Sequence, residues 1–209
     1  RLFAGRALQP IYDLSKAKVV LSVDADFVVS MMPGSIAYAR QMMDGRRLEK
    51  TDGQMNRLYA VQTNATVNGA TADHCQPMTL SEMRKLLNEL VTGSPGSSFG
   101  RALAADLRSS AGACAVVPGD HLPAEIHYLA HLANARFGAI GNTVSFVEPA
   151  EARVEDQRAG LKLLGDDMLN GRIKALLVLG SNPAYNAPAD VGFEEALQAA
   201  RASGTLKGT

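Results

Sequence analysis

Two short segments with the same layout constrain this chain more than anything else in it. Lys18-Val-Val-Leu-Ser-Val-Asp-Ala-Asp26 and Lys174-Ala-Leu-Leu-Val-Leu-Gly-Ser-Asn182 each begin with a lysine, run through a few continuous apolar residues and break into small polar ones. Such a run suits a strand buried on both faces of a parallel sheet. In open α/β sheets, ligands bind beyond the carboxyl ends of these strands, so the two polar exits are the first places to seek a site. They are unequal. Gly180-Ser181-Asn182-Pro183 permits close backbone approach, offers hydrogen bonds and fixes the exit direction, which suits a cofactor phosphate. Asp24-Ala25-Asp26 puts carboxylates where a phosphate prefers N–H donors.

Helical patterns alternate with the strand patterns. After a strand over 18–24, Met32-Pro33-Gly34 is a turn signal. Ile36, Ala39, Met42 and Met43 then fall at helical spacing within Ser35–Asp44, which stops at Gly45. Residues 57–61 read as the next strand and complete a βαβ unit, expected to cross over right-handed. Residues 64–72 have no periodicity and read as a loop. Thr79 is placed to cap a helix whose Leu80, Met83, Leu87 and Leu90 form one stripe. Ser94-Pro95-Gly96-Ser97-Ser98 is the best internal linker, with halves 1–93 and 99–209 on either side. A helix over 99–108, a strand over 113–117 and a helix ending at Arg136 before Gly138 come next. Residues 139–149 read as a loop with an extended piece at 143–147. A helix near 155–169, a strand over 173–179 and a helix over Phe193–Ala202 finish the chain. The alternation predicts a Rossmann-like, mostly parallel sheet with helices on both faces.

Composition narrows the function. The 209 residues, 46% hydrophobic and 20% charged, are enough for a real core and exclude wholesale disorder. Net charge is zero with no basic block, which argues against nucleic-acid binding. No apolar run approaches the roughly 20 residues that span a bilayer, so membrane association would run through a partner subunit. Cys75 and Cys114 are too few for an iron–sulfur cluster or a structural zinc; the sequence leaves a disulfide between them open, and the favoured reading is two buried free thiols. Arg1 and the uncapped end at Thr209 read as the limits of a piece excised from something longer.

Other constellations are weaker. His127 and His131, four apart, share a helix face. A zinc protease would carry Glu at 128, where Tyr128 stands, and His121 lies off that face, so the pair reads as a helix face meeting a polar seam or a partner. Asp24 and Asp26 fall on the same side of an extended strand, as paired acids or magnesium ligands would. No GxxxxGK[ST] loop, GxSxG motif or nucleophile accompanies them, and the plainer reading has them capping the following turn and helix N-terminus.

Lys174-Ala-Leu-Leu-Val-Leu-Gly-Ser-Asn-Pro-Ala184 with Pro188 resembles the cofactor-domain strand and loop of molybdopterin oxidoreductases. Ala72-Asp73-His74 followed by Pro77 is similar to the family's Ala-Asp-x-x-Leu-Pro stretch, and Leu129 to Asn134 with Gly138-Ala-Ile-Gly141 to its helix and following turn. A narrower resemblance covers about 1 to 200. Tyr12-Asp13-Leu14, Val23-Asp24-Ala25-Asp26-Phe27, Pro33-Gly34-Ser35, Met55-Asn56-Arg57-Leu58-Tyr59 and Tyr185-Asn186-Ala187-Pro188-Ala189-Asp190 occur in that order. They look like the molybdopterin oxidoreductase-like half of the iron–sulfur/molybdopterin-type fusion protein of alternative complex III, whose relatives also carry iron–sulfur hydrogenase-component names.

The resemblance implies a periplasmic-side protein, exported by a twin-arginine signal and peripheral to the bacterial inner membrane. There it would serve a quinol-oxidising respiratory complex. Iron–sulfur clusters would sit in a separate ferredoxin-like domain of the same parent chain, and the other partners would be subunits of the complex. The molybdopterin-type half of this group is understood to lack its cofactor. Two positions here agree. Catalytic members have a Gly-x-Asn-Pro-like turn where this chain has Asp24-Ala25-Asp26, and Asp-Pro-Arg where it has Gln62-Thr63-Asn64. Gly180, Ser181, Asn182 and Pro183 would then be a vestigial cofactor loop. No catalytic residue and no metal ligand is assigned. The expectation is a cofactor-free structural domain; the competing one is a redox enzyme fragment that keeps a molybdopterin guanine dinucleotide or nucleotide site. A nucleotide-binding α/β protein with an unrelated substrate fits the ordered matches least.

Overall fold

The apolar run at 19–23 forms the centre of a sheet, and all five of its residues are buried, as a strand covered on both faces must be. The computed structural model describes residues 3–29, 32–50, 53–150, 156–204 and 206. Its strands are β1 (Gln9–Tyr12), β2 (Val19–Val23), β3 (Arg57–Gln62), β4 (His74–Pro77), β5 (Cys114–Pro118) and β6 (Val144–Val147). Its α-helices are α1 (Ser35–Asp44), α2 (Val67–Thr71), α3 (Leu80–Thr92), α4 (Ser98–Ser109), α5 (Ala124–Arg136), α6 (Gln157–Leu169), α7 (Pro183–Asn186) and α8 (Phe193–Ala202). The chain divides into two compact units, Arg1–Pro149 and Ala150–Thr209.

In the first unit four parallel strands lie in the order β4-β3-β2-β5, with Val19 opposite Arg57 on one side and Cys114 on the other. β2, α1 and β3 are the expected βαβ unit. The fold class is α/β, with a parallel sheet and helices consistent with a Rossmann-like fold. Leu21, Phe27, Leu58, Leu87, Leu103 and Ile126 are among the fully buried core residues, each worth about 1.5–3 kcal/mol of transfer free energy. Local signals set the helix ends. Thr79 and Glu82 form a reciprocal capping box at the start of α3, and Gly34 and Gly45 bracket α1.

Three features of this unit differ from the sequence reading. The aperiodic stretch 64–72 contains α2, capped by the Thr66 hydroxyl, which accepts from Gly69 N–H at 3.0 Å. His74–Pro77 is an edge strand, β4. The extended piece near 143–147 is β6, and it pairs antiparallel with β1, Gln9 opposite Val147, in a separate two-stranded ribbon. The Ser94 to Ser98 stretch lies within this unit and joins α3 to α4, with Ser97 capping α4.

In the second unit α6 and α8 bury Met168, Phe193, Ala196 and Ala200, with Ile173 and Leu176 packed against them. The strand expected over 173–179 is not formed: these residues join no ladder with any described strand. Leu177 and Leu179 are 79% and 77% exposed. A strand needs a neighbour to take its N–H and C=O groups, and the described residues of this unit offer helices only. The helix expected near 155–169 is α6; position 155 lies outside the described residues.

Candidate functional site

The carboxyl ends of β2, β3 and β5 open on one cleft of about 440 Å³, lined by Asp24, Asp26, Met32, Thr63, Asp120 and His121 among others. β2 makes its last ladder bond through Asp24 N–H to the Val61 carbonyl at 2.7 Å, and Asp24 then turns left-handed with φ of 47°. Aspartate tolerates this region better than most residues because its short side chain bonds locally. The exit of β5 presses against that turn. A Cβ on Gly119 would stand 2.3 Å from the Asp24 carbonyl oxygen, so only glycine fits there.

The two carboxylates are anchored inward. Asp24, with a side chain 6% exposed, accepts the Thr63 hydroxyl at 2.7 Å and the Thr63 N–H at 3.2 Å, and His121 Nε2 lies 3.4 Å from the same carboxylate. Asp26 accepts the N–H groups of Asn68 at 3.0 Å and Val67 at 3.3 Å. Both acids therefore bind backbone donors, as the capping reading expected, but on another element. Asp26 caps α2, beyond β3, and not the helix that follows it in sequence. Nor do the two acids share one side of an extended strand, because β2 ends at Val23, before the first of them.

Asn68 is the residue that sequence reasoning missed. It is fully buried, and its side-chain oxygen accepts the Val28 N–H at 3.1 Å while its amide nitrogen reaches Ser22 Oγ at 3.4 Å. Ser22 in turn donates to the Ala25 carbonyl at 2.6 Å. This chain of bonds ties the 24–28 turn to α2. The available signal was Thr66 three residues ahead of Gly69, an N-cap pattern hidden by the absence of apolar periodicity. Of the positions set against the family's Asp-Pro-Arg, Gln62 accepts from the Thr66 hydroxyl at 2.6 Å, Thr63 holds Asp24, and Asn64 lines the cleft. His121, set aside beside His127 and His131, belongs with Asp24.

The vestigial candidates lie in the second unit. Gly180, with φ of 67°, Ser181 and Asn182 are exposed, and Pro183 opens α7. The Asn182 carbonyl accepts from Tyr185 and Asn186 N–H at 3.0 and 2.9 Å, while its side chain makes no cap bond. These residues form an exposed turn ahead of α7 and not the exit of a strand, because no strand forms over 173–179.

The histidine pair divides: His127 meets a polar seam, at Asp120 and the backbone of Gly119, Asp120 and Leu122, whereas His131 meets an apolar one. The His131 ring lies 5.7 Å from Phe3 and 5.1 Å from Phe146, centroid to centroid, and its Nδ1 has no hydrogen-bond partner. Burial, with the nearby His127 second, pushes its pKa down to about 4. Burial also lowers His127, against the opposing pull of Asp120. Both cysteines are free. Cys114 is buried, which pushes its thiol up to about 11, whereas Cys75 is exposed because β4 is an edge strand, contrary to the reading of two buried thiols.

No family model matches the chain, and no curated protein matches it. Its class rests on the fold: an α/β protein with a cleft at the carboxyl ends of its parallel strands. The cleft is a poor fit for the phosphates of a pterin dinucleotide. Thr63, Val67 and Asn68 already donate to carboxylates of the chain itself, in charge-assisted bonds stronger than neutral ones. A phosphate entering there would meet Asp24, Asp26 and Asp120 with no Lys or Arg among the described lining residues. Like charges at such range in a partly dry cleft cost on the order of several kcal/mol.

Proposed function

We propose that this chain is a cofactor-free, structural molybdopterin oxidoreductase-like domain of an iron–sulfur subunit. In this reading it supports a membrane quinol-oxidising respiratory complex on the periplasmic side of the inner membrane. The observation that carries the loss of cofactor is the pair of carboxylates: Asp24 and Asp26 take up the backbone donors of Thr63, Val67 and Asn68. The ordered family-like motifs carry the assignment to the complex. The partners are the ferredoxin-like part of the same parent chain and the neighbouring subunits, with the iron–sulfur clusters held there. No helix among the described residues is long and apolar enough to cross a membrane, so attachment in this reading runs through those subunits.

The test is calorimetry of the purified protein with GDP, together with pterin fluorescence and molybdenum analysis of the parent subunit. No binding heat, no pterin and no molybdenum are expected. Stoichiometric molybdenum, or micromolar GDP binding that Asn182→Ala abolishes, would instead establish the redox-enzyme reading.

A further inference from the structure

Among the described residues β5 is the outer strand of the sheet, yet it carries no charge of its own to protect an edge. Edge strands avoid pairing with foreign strands through charges, bulges or cover, whereas Cys114–Pro118 reads Cys-Ala-Val-Val-Pro and is buried throughout. In a parallel ladder the N–H and C=O of alternate residues point to the same side. Here the outward residues are Cys114, Val116 and Pro118.

The segment that follows along this edge is not a strand. Asn134, in the last turn of α5 and fully buried, accepts the Val116 N–H with its side-chain oxygen at 2.8 Å. The same amide donates to the Val116 carbonyl, also at 2.8 Å. That is the pair of bonds that one opposed residue of an antiparallel strand, or two successive partners on a parallel one, would supply. Thr143, 1% exposed, donates its hydroxyl to the Cys114 carbonyl. Gly112 N–H reaches the Phe137 carbonyl at 2.8 Å just before the strand begins. Pro118 has no N–H to offer at the other end.

We propose that residues 134–143 act as a strap in place of a fifth strand, with the Asn134 amide as the lock that closes the β5 edge to strand addition. The device is independent of any cofactor or partner. It makes β5 the end of the sheet by side-chain chemistry, in a strand whose composition would otherwise invite pairing with another copy.

The experiment combines hydrogen exchange of the Val116 amide with sedimentation velocity over a range of concentrations, on the whole chain. In the wild type, Val116 is expected to exchange as slowly as Ala115 and Val117, which face β2. In Asn134→Ala, Val116 exchange should rise about fivefold, the factor expected for the loss of one net hydrogen bond, and self-association should increase. Asn134→Asp, which keeps the acceptor and loses the donor, should fall between. A folded Asn134→Ala with unchanged exchange and unchanged sedimentation overturns the proposal. If that variant does not fold, the wild-type profile decides: Val116 exchanging far faster than its two neighbours overturns it, and equal protection supports it.

Discussion

Asp24 shows how one residue can carry a local strain and a site at once. Among the described residues it is the one non-glycine with a left-handed backbone, and its carboxylate satisfies the Thr63 N–H. Asp24→Gly removes only the second of these supports, because glycine is at ease at φ of 47°. Asp24→Ala adds backbone strain to the lost bond. The alanine variant is expected to be about 1 kcal/mol less stable than the glycine variant in urea unfolding; coincident midpoints would show that position 24 stores no strain. His131 carries the pH dependence. Unfolded, its imidazole takes a proton near 6.5, while in the aromatic slot of Phe3 and Phe146 it stays neutral down to about 4. Between those values the unfolded chain binds more protons. Its contribution is therefore fully present above about 6.5, falls as pH drops through that window, and is gone below about 4. The total is about 3 kcal/mol. His131→Phe should flatten that part of the stability profile; an unchanged slope between pH 6.5 and 4 would place the titration elsewhere.

At the scale of elements, the chain separates what local signals specify from what neighbours supply. α1 and α8 have the bounds that their periodicity and stop signals indicate, and Thr79 caps α3 as expected. α2 is different, for a helix of five residues cannot hold itself together in water. It is pinned from outside by Asp26 on its first N–H groups and by Asn68 reaching back to Val28. Asn68→Ala leaves the Val28 N–H without its acceptor and should cost about 1–3 kcal/mol. Amide exchange at Val28 and Val67 should rise together, whereas a rise at Val28 alone would mean that α2 does not depend on the clamp. The same dependence, left unmet, accounts for residues 173–179. Their apolar run satisfies every local criterion for a buried strand, but no described strand lies against it.

At the scale of the whole molecule, the described residues hold two buried clusters. One runs from Tyr12 to Val144 around the parallel sheet; the other gathers Met168, Phe193, Ala196, Ala200 and Leu206. The first is drawn entirely from Arg1–Pro149. A chain ended at Pro149 is therefore expected to keep the far-UV circular dichroism of its own strands and of α1–α5, and to unfold in a single cooperative transition; a molten, ANS-binding product would refute this. At this scale the proposed role is that of a support, and in that reading the acids that line the carboxyl-end cleft disfavour a phosphate.

What the sequence by itself determined is what depends on a few consecutive residues. These are the strands read at 18–24 and 57–61 and formed at 19–23 and 57–62, the caps and apolar stripes of the helices, the α/β class, and the proposed conflict between Asp24-Ala25-Asp26 and a phosphate. Those follow from propensity, periodicity and charge, which act over one or two turns of chain. Only the tertiary structure decided the partnership of β1 with β6, the placing of Asp26 on α2, the meeting of His121 with Asp24 and the unpaired state of 173–179. Each of these is a hydrogen bond made or missed between residues far apart in sequence. Backbone donors and acceptors are alike at every position, so their pairing is set by which segments the packed core brings within about 3 Å.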